Sequence, residues 1–440
     1  MLTISDVACP VCGCVCDDLQ LTVDGSRVVR AERACALAEP WFLAQSSVTR
    51  PAAEIDGEPA DIDRAIVIAA DLLRSTRAPL IYGLSRSSTG GQQAAVKLAD
   101  HLGATIDTTA SLCHGPSIMA MQAVGESTCT LGEISTRADL VIFWGCNPAA
   151  SHPRHAERYS AFPRCDFLPN GRADRTIVMI GDERDVHAWR LDRDDARPDW
   201  VIPIEPDRDF EAISVLRALV RGVSFRDQCL PESTLYSLTE LARRMKSCRY
   251  GVVFFGLGLT ATDFHRPPRA SGLGHLNVEN LLRLVTELND FARFHARRMR
   301  LYGDVSGADS VLCWQTGYPF AVNLSRGYPR YNPGEFSAND LLTRGEPDAC
   351  VLIGSETLGQ FSSQALDHLR RIPVILLDYP ATTPIIEPTV RFTTAVYGLH
   401  APGTAYRMDE IPIAYRASLP APWPTDEAVL KQLMERLAQN

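Results

Sequence analysis

Short apolar runs alternate with amphipathic stretches along most of the chain. All but one of these runs end in glycine or aspartate, and the intervals between runs have helical periodicity. The predicted strands are residues 79–83, 138–145, 176–182, 200–204, 250–256, 350–354 and 373–378. Apolar runs separated by helices are typical of parallel sheets that are covered on both faces. The pattern therefore predicts an α/β protein with two doubly wound parallel-sheet domains.

The helices and breaks between these runs predict the domain limits. A helix over residues 61–73 begins with Asp61 as its N-cap, and further helices span residues 90–102 and 426–437. We expect a small cysteine-rich cap over residues 1–50. One discontinuous α/β domain would comprise residues 51–137 with 338–420, and a second would comprise residues 138–337. Residues 421–440 would form a C-terminal helix.

Cysteine is concentrated at the start of the chain. Five of the 13 cysteines fall within the first 35 residues. Cys9, Cys12, Cys16 and Cys35 follow a C-x2-C-x3-C-x18-C spacing, and Cys14 is expected to point away from them. Thiolates spaced in this way can converge on one metal centre. Because a zinc ribbon needs a second close cysteine pair, the spacing favours an iron–sulfur cluster over zinc. Unligated core cysteines are the alternative to a metal centre.

The charge excludes some classes of function. The formal net charge is −9, which argues against nucleic acid as a partner. The 44 basic residues comprise three lysines and 41 arginines. Codon bias explains this ratio, although some arginines could bind phosphate or carboxylate groups. The start of the chain does not resemble a signal peptide, and no apolar run is long enough to cross a bilayer. We therefore expect a cytoplasmic protein.

Glycine-containing loops follow several of the predicted strands. Backbone amides in such loops can face an anion, although glycine can also stand there for steric reasons alone. Several loops at one edge of a sheet indicate a long ligand with more than one phosphate. The candidate cofactor-binding residues are Gly145, Cys146, Asn147, Pro148, Gly256, Gly258, Thr260, Gly354 and Ser355.

Motifs spread over residues 9–413 carry a resemblance to a known family. They are the N-terminal cysteines with Asp17-Asp18, the segments 113–117, 144–148 and 152–155, and the segments 314–320, 326–335 and 403–409. With these motifs the chain resembles the B subunit of formylmethanofuran dehydrogenase. The resemblance implies the fold of molybdopterin oxidoreductase large subunits, with a metal bis-pterin guanine dinucleotide between two α/β domains.

The resemblance also implies functions for individual residues. Cys9, Cys12, Cys16 and Cys35 would ligate a [4Fe–4S] cluster. Cys113 would be a thiolate ligand of tungsten or molybdenum, and His114 beside it would transfer the proton. A soft thiolate suits such a metal, and an imidazole titrates near neutral pH. Asp182 and Arg184 lie in the segment that would hold guanine.

Some segments depart from the family pattern. An arginine should complete the active site, and Arg266 and Arg269 are the candidates in a proline-broken segment. Four acids within residues 192–199 would repel a pyrophosphate-bearing ligand. Glu356 stands where the family commonly has aspartate. Residues 390–395 are more polar than the apolar strand that we expect there.

These departures leave three hypotheses. The preferred one is the B subunit of a bacterial formyltransferase/hydrolase complex, which converts formyl-tetrahydromethanopterin to formate via methylofuran, with a reduced or lost redox function. The second is an active tungsten or molybdenum formylmethanofuran dehydrogenase subunit that interconverts carbon dioxide and formate. The third is a binding module for a polyanionic carrier. The resemblance implies partner subunits, including an amidohydrolase-like A subunit and a C subunit, and neither nucleic acid nor a membrane.

Overall fold

A computed structural model describes residues 1–223, 230–260 and 274–439. The chain forms two compact units, which we call the first unit (Met1–Leu112 with Tyr302–Asn440) and the second unit (Cys113–Leu301). Within the described ranges, no helix is long and apolar enough to cross a membrane.

The strands are numbered in chain order. They are β1 (Leu2–Val7), β2 (Leu19–Asp24), β3 (Arg27–Glu32), β4 (Ala53–Ile55), β5 (Glu58–Ala60), β6 (Pro79–Gly83), β7 (Thr105–Thr108), β8 (Leu140–Trp144), β9 (Thr176–Asp182), β10 (Trp200–Ile204), β11 (Tyr250–Phe255), β12 (Arg293–Arg298), β13 (Val322–Asn323), β14 (Arg330–Tyr331), β15 (Ala349–Ile353), β16 (Val374–Asp378), β17 (Val390–Thr393), β18 (Gly403–Tyr406) and β19 (Pro412–Tyr415).

The α-helices are numbered in the same way. They are α1 (Ala38–Ser47), α2 (Ile62–Arg74), α3 (Thr89–Leu102), α4 (Gly115–Val124), α5 (Leu131–Arg137), α6 (Pro148–Ser151), α7 (Asp209–Val220), α8 (Glu232–Ser247), α9 (Leu257–Thr260), α10 (Gly274–Leu288), α11 (Val305–Thr316), α12 (Ala338–Arg344), α13 (Ser363–Leu369) and α14 (Asp426–Ala438). A short π-helix spans Ala156–Ser160.

The first unit is built on a nine-stranded sheet with the order β14-β13-β7-β6-β15-β16-β17-β4-β5. The five central strands, β7 to β17 in this order, are parallel. Antiparallel pairs close both edges of the sheet. The direction of the chain connections reverses between β6 and β15. Ligands of open α/β sheets bind at such a switch point, beyond the carboxyl ends of the strands.

The second unit is built on a five-stranded sheet with the order β10-β9-β8-β11-β12. All its strands are parallel. Here the connections reverse between β8 and β11, so these two strands flank the second switch point. Together with the small sheet β1-β2-β3 at the N-terminus, the two parallel sheets confirm the expected fold class.

Local sequence explains the ends of several helices. The Asp61 carboxylate accepts hydrogen bonds from the amides of Asp63 and Arg64 at 3.0 and 3.1 Å, which confirms the predicted N-cap of α2. Helix α5 begins with a capping box between Thr130 and Glu133. Apolar faces of α2, α3 and α14 then pack into the core of the first unit.

Three buried strands were not predicted, because polar residues interrupt their hydrophobic pattern. They are β7, β12 and β17. Residues 390–395, which are more polar than the apolar strand expected there, include β17, and this strand lies inside the sheet and is buried throughout. Arg391 donates to the carbonyl oxygen of Thr382 at 2.9 Å, and Thr393 donates to that of Pro51 at 2.7 Å. These bonds satisfy part of the hydrogen-bonding capacity of the buried polar side chains of the strand.

Candidate functional site

The cysteine loop, residues 8–16, is closed by its own backbone. The Cys9 amide donates to the Cys16 carbonyl oxygen at 2.8 Å, and the Val15 amide donates to that of Cys12 at 3.1 Å. Val15 has a φ of 37°, which is rare for a β-branched residue. Unfavourable backbone angles of this kind persist where the surrounding structure holds them in place. The closed loop brings the first three predicted ligands onto one short turn.

Residues from the C-terminal part of the first unit anchor this loop. Ala8 packs in a small buried cluster with Tyr397 and Tyr415. The Gly13 carbonyl oxygen accepts a hydrogen bond from the Met408 amide at 2.8 Å. The conformation of the loop therefore depends on residues that lie almost four hundred positions later in the chain.

The thiols of the loop are buried close to one another. Cys9, Cys12, Cys14 and Cys16 are buried, and Cys35, just before α1, is half-buried. Burial raises the pKa of Cys9 well above its ordinary value, and the charges of Cys16, Cys12 and Cys35 raise it further. Mutual repulsion of this kind requires the four predicted ligands to be neighbours. A cationic metal centre would remove the repulsion.

We expected Cys14 to point away from the other thiols, but it does not. Hydrogen bonds from Cys14 are the main cause of a lowered pKa at Cys12, and the positive charge of Arg86 adds to this effect. Cys14 therefore stabilises the thiolate of a neighbouring predicted ligand.

The iron–sulfur cluster that the cysteine spacing favours over zinc stays a prediction. In the part of the chain that the structure describes, no three His, Cys, Asp or Glu side chains are close enough together to hold one metal ion.

Arg86 joins the cysteine loop to the switch point of the first unit. Its Nη1 donates to the carbonyl oxygens of Pro10 and Val11 at 2.7 and 3.3 Å. Its Nε lies 3.6 Å from Glu356 Oε1, which also accepts a hydrogen bond from Ser85 at 2.5 Å. Both charged side chains are largely buried. Glutamate reaches one methylene further than the aspartate expected here, which accounts for this departure from the family pattern.

Gly354 and Ser355 lie at this same switch point, directly after β15. Gly354 has a φ of 85°, and its amide donates to the Leu377 carbonyl oxygen at 2.9 Å. The Ser355 hydroxyl donates to Asp378 at 2.5 Å. Burial raises the pKa of Asp378 to about 6, against the lowering effect of the Ser355 hydrogen bond. The edge of this sheet thus carries a polar network of side chains.

The glycines at the switch point of the second unit are required by close packing between two loops. A Cβ added at Gly145 would lie 2.5 Å from the Leu259 nitrogen, and Gly145 has a φ of 63°. A Cβ at Gly258 would lie 2.7 Å from the Gly145 carbonyl oxygen, and one at Gly256 would lie 2.6 Å from Cys146 Cβ. Side chains at these positions would separate the loops that follow β8 and β11.

The amides of these glycines do not face a ligand, contrary to our expectation. All three donate to main-chain carbonyl oxygens at 2.9–3.1 Å, namely those of Ile180, Trp144 and Gly145. The next two amides along the first loop, those of Cys146 and Asn147, donate to no acceptor within the described ranges. An anion at this switch point would therefore meet these two amides.

The other candidate residues of the second-unit loops have local partners. Cys146 is buried with its thiol 3.7 Å from the Phe254 carbonyl oxygen, and burial raises its pKa. Thr260 donates to the Leu257 carbonyl oxygen at 3.1 Å. Pro148 is the first residue of α6. The side chains of these residues shape the loops, and we assign no direct ligand contact to these side chains.

The segment expected to hold guanine is occupied by ion pairs of its own. Arg184 donates to Asp182 through Nε, at 2.7 Å, and through Nη2. Arg190 forms an ion pair with Asp195, and the Asp192 carboxylate closes a turn by accepting two backbone amides. The acids in this segment are therefore locally compensated, and Asp182 would have to release Arg184 in order to bind a base.

Cys113 and His114 are buried and directly precede α4. The His114 carbonyl oxygen accepts the amide of Ser117 at 2.9 Å, which starts the helix at this point. The N-terminal end of a helix favours a negative charge, and this suits a thiolate at Cys113. Arg266 and Arg269, the candidates for the completing arginine, lie outside the described residues.

Three arginines near the end of β12 were not predicted as site residues from the sequence. Arg297, Arg298 and Arg300 are all buried, and Arg298 pairs with Glu126 at 3.0 Å. Buried arginines are rare unless they are paired or bind a ligand. The three basic residues within four positions were the available signal, but residue type alone does not show that these side chains are buried.

A comparison with known proteins places the chain in a family. It is 37% identical over 449 aligned residues to the B subunit of tungsten-containing formylmethanofuran dehydrogenase 2 from Methanocaldococcus jannaschii, and the match covers 99% of both chains. The chain belongs to the family of formylmethanofuran dehydrogenase B subunits. The corresponding protein from Methanococcus maripaludis is 35% identical with the same coverage. The family resemblance predicted from the motifs is confirmed.

Members of the formyltransferase/hydrolase branch are also similar to the chain. The B subunit of the formyltransferase/hydrolase complex Fhc from Methylorubrum extorquens is 27% identical over 313 residues, which is 69% of this chain and 75% of that protein. A chain in the crystal structure of the FhcABCD complex from the same organism, with methylofuran bound, superimposes with a TM-score of 0.69 at 23% identity. This match covers 88% of the present chain and 99% of the other, and it supports the fold. No protein-family model matches the chain.

Proposed function

We propose that this chain acts as the B subunit of a formylmethanofuran dehydrogenase-like one-carbon complex. The observation that carries the proposal is the match along 99% of both chains to the B subunit of a tungsten-containing formylmethanofuran dehydrogenase. The buried cysteine loop and the two switch points supply thiols, amides and charged groups at the places where such a protein would use them. The chain would work with partner subunits, including an amidohydrolase-like A subunit and a C subunit.

The first form of this function is the formyltransferase/hydrolase complex. There a formyl group would pass from formyl-tetrahydromethanopterin to methylofuran and leave as formate, without a redox step in this chain. Similarity in sequence and fold to the Methylorubrum extorquens proteins supports this form. The ion pair between Asp182 and Arg184 also supports it, because guanine would have to displace the arginine from the carboxylate.

The second form is a tungsten or molybdenum dehydrogenase that interconverts carbon dioxide and formate. Three observations favour it: the neighbouring cysteines of the loop, the buried Cys113 and His114 before α4, and the higher identities of 37% and 35% to tungsten-containing relatives. In both forms the complex is of the same type. The two forms differ in whether this chain carries a metal centre that takes part in a redox reaction.

In the redox form, Cys9, Cys12, Cys16 and Cys35 would hold a [4Fe–4S] cluster, which supplies one-electron transfer when it is bound. The folded loop would keep water away from the sulfurs, since three of the four cysteines are buried. The Arg86 guanidinium, which is bonded to the loop carbonyls at Pro10 and Val11, would offset part of the negative charge of the thiolates.

Cys113 would supply the protein thiolate to the metal of a bis-pterin guanine dinucleotide, because soft thiolates suit such metals. His114 would accept or donate the proton that accompanies the reaction at carbon. The amides of Cys146 and Asn147 would donate to a phosphate at the switch point of the second unit. Asp182 would bind guanine only after its ion pair with Arg184 had broken.

The metal content of the purified complex distinguishes the two forms. Stoichiometric iron with tungsten or molybdenum, together with formate-dependent reduction of a viologen dye, would establish the redox form. Iron-free and pterin-free complex that releases formate from formyl-tetrahydromethanopterin would establish the transfer form. Absence of both activities, and of co-purifying A and C subunits, would contradict the proposed function.

Paired cysteine variants test the redox form further. Cys113→Ala should abolish dye reduction while it leaves the iron content unchanged, because iron would be held by the separate cysteine loop. Cys313→Ser is the matched control, since this cysteine is exposed on α11 and belongs to none of the candidate sites. Equal activity of the two variants would exclude Cys113 as a metal ligand.

A further inference from the structure

A polar pocket of about 260 Å³ opens in the first unit, and none of its lining residues belongs to the cysteine loop or to either switch point. Its volume is just below the range typical of drug-sized ligands, so it suits a small molecule. It is lined by Ser26, Arg27, Gln45, Ser46, Ser47, Val48, Thr49, Arg50, Ala52, His400, Pro420, Pro422 and Trp423.

His400 presents a hydrogen-bond donor to this pocket. The side chain is only 6% exposed, and its Nδ1 accepts a hydrogen bond from the Val396 amide at 3.3 Å. Burial lowers its pKa to about 4, so the ring is neutral near pH 7 and its one proton resides on Nε2. This N–H has no acceptor among the residues that the structure describes.

Gln45 presents a second donor. Its Oε1 accepts the Ala381 amide at 3.1 Å, and this bond fixes the orientation of the side-chain amide. The residue is 4% exposed, and its NH₂ group meets no acceptor within residues 1–223, 230–260 and 274–439. The Gln45 NH₂ group and the His400 N–H can therefore donate to the acceptor atoms of a ligand in the pocket.

Two arginines give the pocket a positive charge. The guanidinium groups of Arg27 and Arg50 form neither an ion pair nor a hydrogen bond with any described residue, and no acidic side chain is among the described lining residues. The end of α1 also reaches the pocket, where the Ser46 hydroxyl donates to the Phe42 and Leu43 carbonyl oxygens and the Ser47 hydroxyl donates to that of Ala44. The positive charge of the two arginines has to outweigh the partial negative charge of this helix end.

Flat and apolar surfaces complete the pocket. Trp423 packs edge-on to His400 with their ring centroids 5.4 Å apart, and its indole N–H donates to the Arg50 carbonyl oxygen at 3.0 Å. Pro420 and Pro422 lie beside it. The donors, the positive charge and this wall together define one class of ligand. We propose that the pocket binds a small organic oxyanion, a carboxylate or phosphate that is attached to a flat or apolar group.

Titration calorimetry on the full-length chain tests this proposal with four probes. Phenyl phosphate and benzoate carry the two oxyanions on the same ring, inorganic phosphate lacks the ring, and benzyl alcohol lacks the charge. We expect saturable binding of phenyl phosphate or benzoate, and the tighter of the two identifies the oxyanion. Inorganic phosphate and benzyl alcohol should bind at least tenfold more weakly.

Substitutions locate the binding. Arg27→Gln with Arg50→Gln, and separately Gln45→Leu, should each weaken the tighter probe by tenfold or more, because a charge-assisted hydrogen bond is worth about 1.4 kcal/mol or more. Arg30→Gln is the matched control, since Arg30 is exposed on the same strand as Arg27 and pairs with Glu32 outside the pocket. It should leave the affinity unchanged.

Either of two results would overturn the proposal. One is the absence of saturable binding by both aromatic oxyanions, and the other is binding that both pocket variants leave intact. The pocket shares no residue with the metal-binding candidates, so Cys113→Ala should bind the probes normally. A result that contradicts the proposed one-carbon function would therefore not contradict the oxyanion pocket. A result that contradicts the pocket would likewise not contradict the proposed function.

Discussion

Each of the two units has a switch point in its sheet, but the two switch points are built from different groups. At the first, between β6 and β15, side chains form the loops: Ser355 bonds to Asp378, and Glu356 joins Ser85 and Arg86. At the second, between β8 and β11, backbone packs on backbone, and glycines bring the two loops together. A switch point thus carries a polar network in one unit and a close-packed turn in the other.

This difference shows that a switch point in a parallel sheet does not imply one way of binding. The side-chain network of the first unit passes through Arg86 to the cysteine loop, so we expect it to position a metal centre there. The packed loops of the second unit leave the amides of Cys146 and Asn147 available and have no comparable network within the described ranges. We expect the two units to respond differently to substitution and to pH.

The largest effect should come from adding one methyl group at the second switch point. Gly145→Ala would force a positive φ on alanine and bring Cβ to 2.5 Å from the Leu259 nitrogen. We expect the free energy of unfolding of the second unit to fall by about 3 kcal/mol. Urea titration followed by hydrogen exchange of second-unit peptides measures it.

Gly222→Ala is the control, because Gly222 also has a positive φ but has no atom within 4 Å of an added Cβ. Its loss should be about 1 kcal/mol, the cost of the backbone angle alone. Equal losses in the two variants would show that the two loops are not closely packed.

The next effect concerns the polar network of the first unit. Arg86→Met would leave Glu356 largely buried without its cation and would release the Pro10 and Val11 carbonyl oxygens. We expect a loss of about 2 kcal/mol in unfolding free energy and a complex that retains less iron in the redox form. Calorimetric unfolding and iron analysis give the two readouts.

Arg370→Met serves as the control for this substitution, because the Arg370–Asp367 ion pair is exposed. Such pairs contribute less than about 1 kcal/mol. The double variant Arg86→Met with Glu356→Gln should recover part of the lost stability. If the double variant were as unstable as Arg86→Met alone, burial of an unpaired Glu356 would not be the cause.

The two units should also respond to pH in opposite directions. In the first unit, burial raises the pKa of Asp304 to about 8, so its contribution is present below pH 4 and is lost as the pH rises to 8. In the second, burial lowers the pKa of His152 to about 4, so its contribution is present above pH 6.5 and is lost as the pH falls to 4.

Asp304→Asn should flatten the loss of first-unit stability between pH 4 and pH 8, and His152→Gln should flatten the loss in the second unit between pH 6.5 and pH 4. Each change should exceed about 1 kcal/mol across its window, because one unit of pKa shift corresponds to about 1.4 kcal/mol. Hydrogen exchange with peptide resolution, at a series of pH values, reports each unit separately. Parallel pH profiles for the two units in the wild-type chain would contradict this assignment.

The smallest effects concern helix caps, where the two units should behave alike. Asp61→Ala at α2 and Thr130→Ala at α5 each remove an acceptor for amides at a helix start, and each should cost about 1 kcal/mol. Asp61→Asn keeps an acceptor and should change stability by only a few tenths of a kcal/mol. Thermal unfolding with local hydrogen exchange checks all three variants, and equal losses for Asn and Ala would exclude a capping function.

Strands with continuous apolar patterns were predictable from the sequence. The predicted residues 176–182 and 200–204 coincide with β9 and β10, because burial on both faces of a parallel sheet requires apolar side chains at every position. The same rule failed for β12 and β17, whose buried arginines have carboxylate or carbonyl partners outside their own strand. A polar strand becomes recognisable only when its partners are known.

Some residues of the candidate site could be predicted from the sequence, and others could not. The cysteine spacing and the Cys113-His114 pair can be read directly, because unusual residue types at short separations carry their own chemical meaning. Arg86 could not be selected from 41 arginines, since its importance comes from the Pro10 and Val11 carbonyls and from Glu356. The domain limits expected from the sequence stay a prediction, as do the proposed functions of the individual site residues.

Local chemistry determined the fold class, the positions of the cysteines and the family, since periodicity, spacing and motifs are properties of neighbouring residues. Long-range packing determined which groups meet: Arg86 with the cysteine loop, Gly145 with Gly258, and His400 with Gln45 across one pocket. The physical reason is that hydrogen bonds and charges act over a few ångströms, and only the folded chain brings residues hundreds of positions apart within that distance.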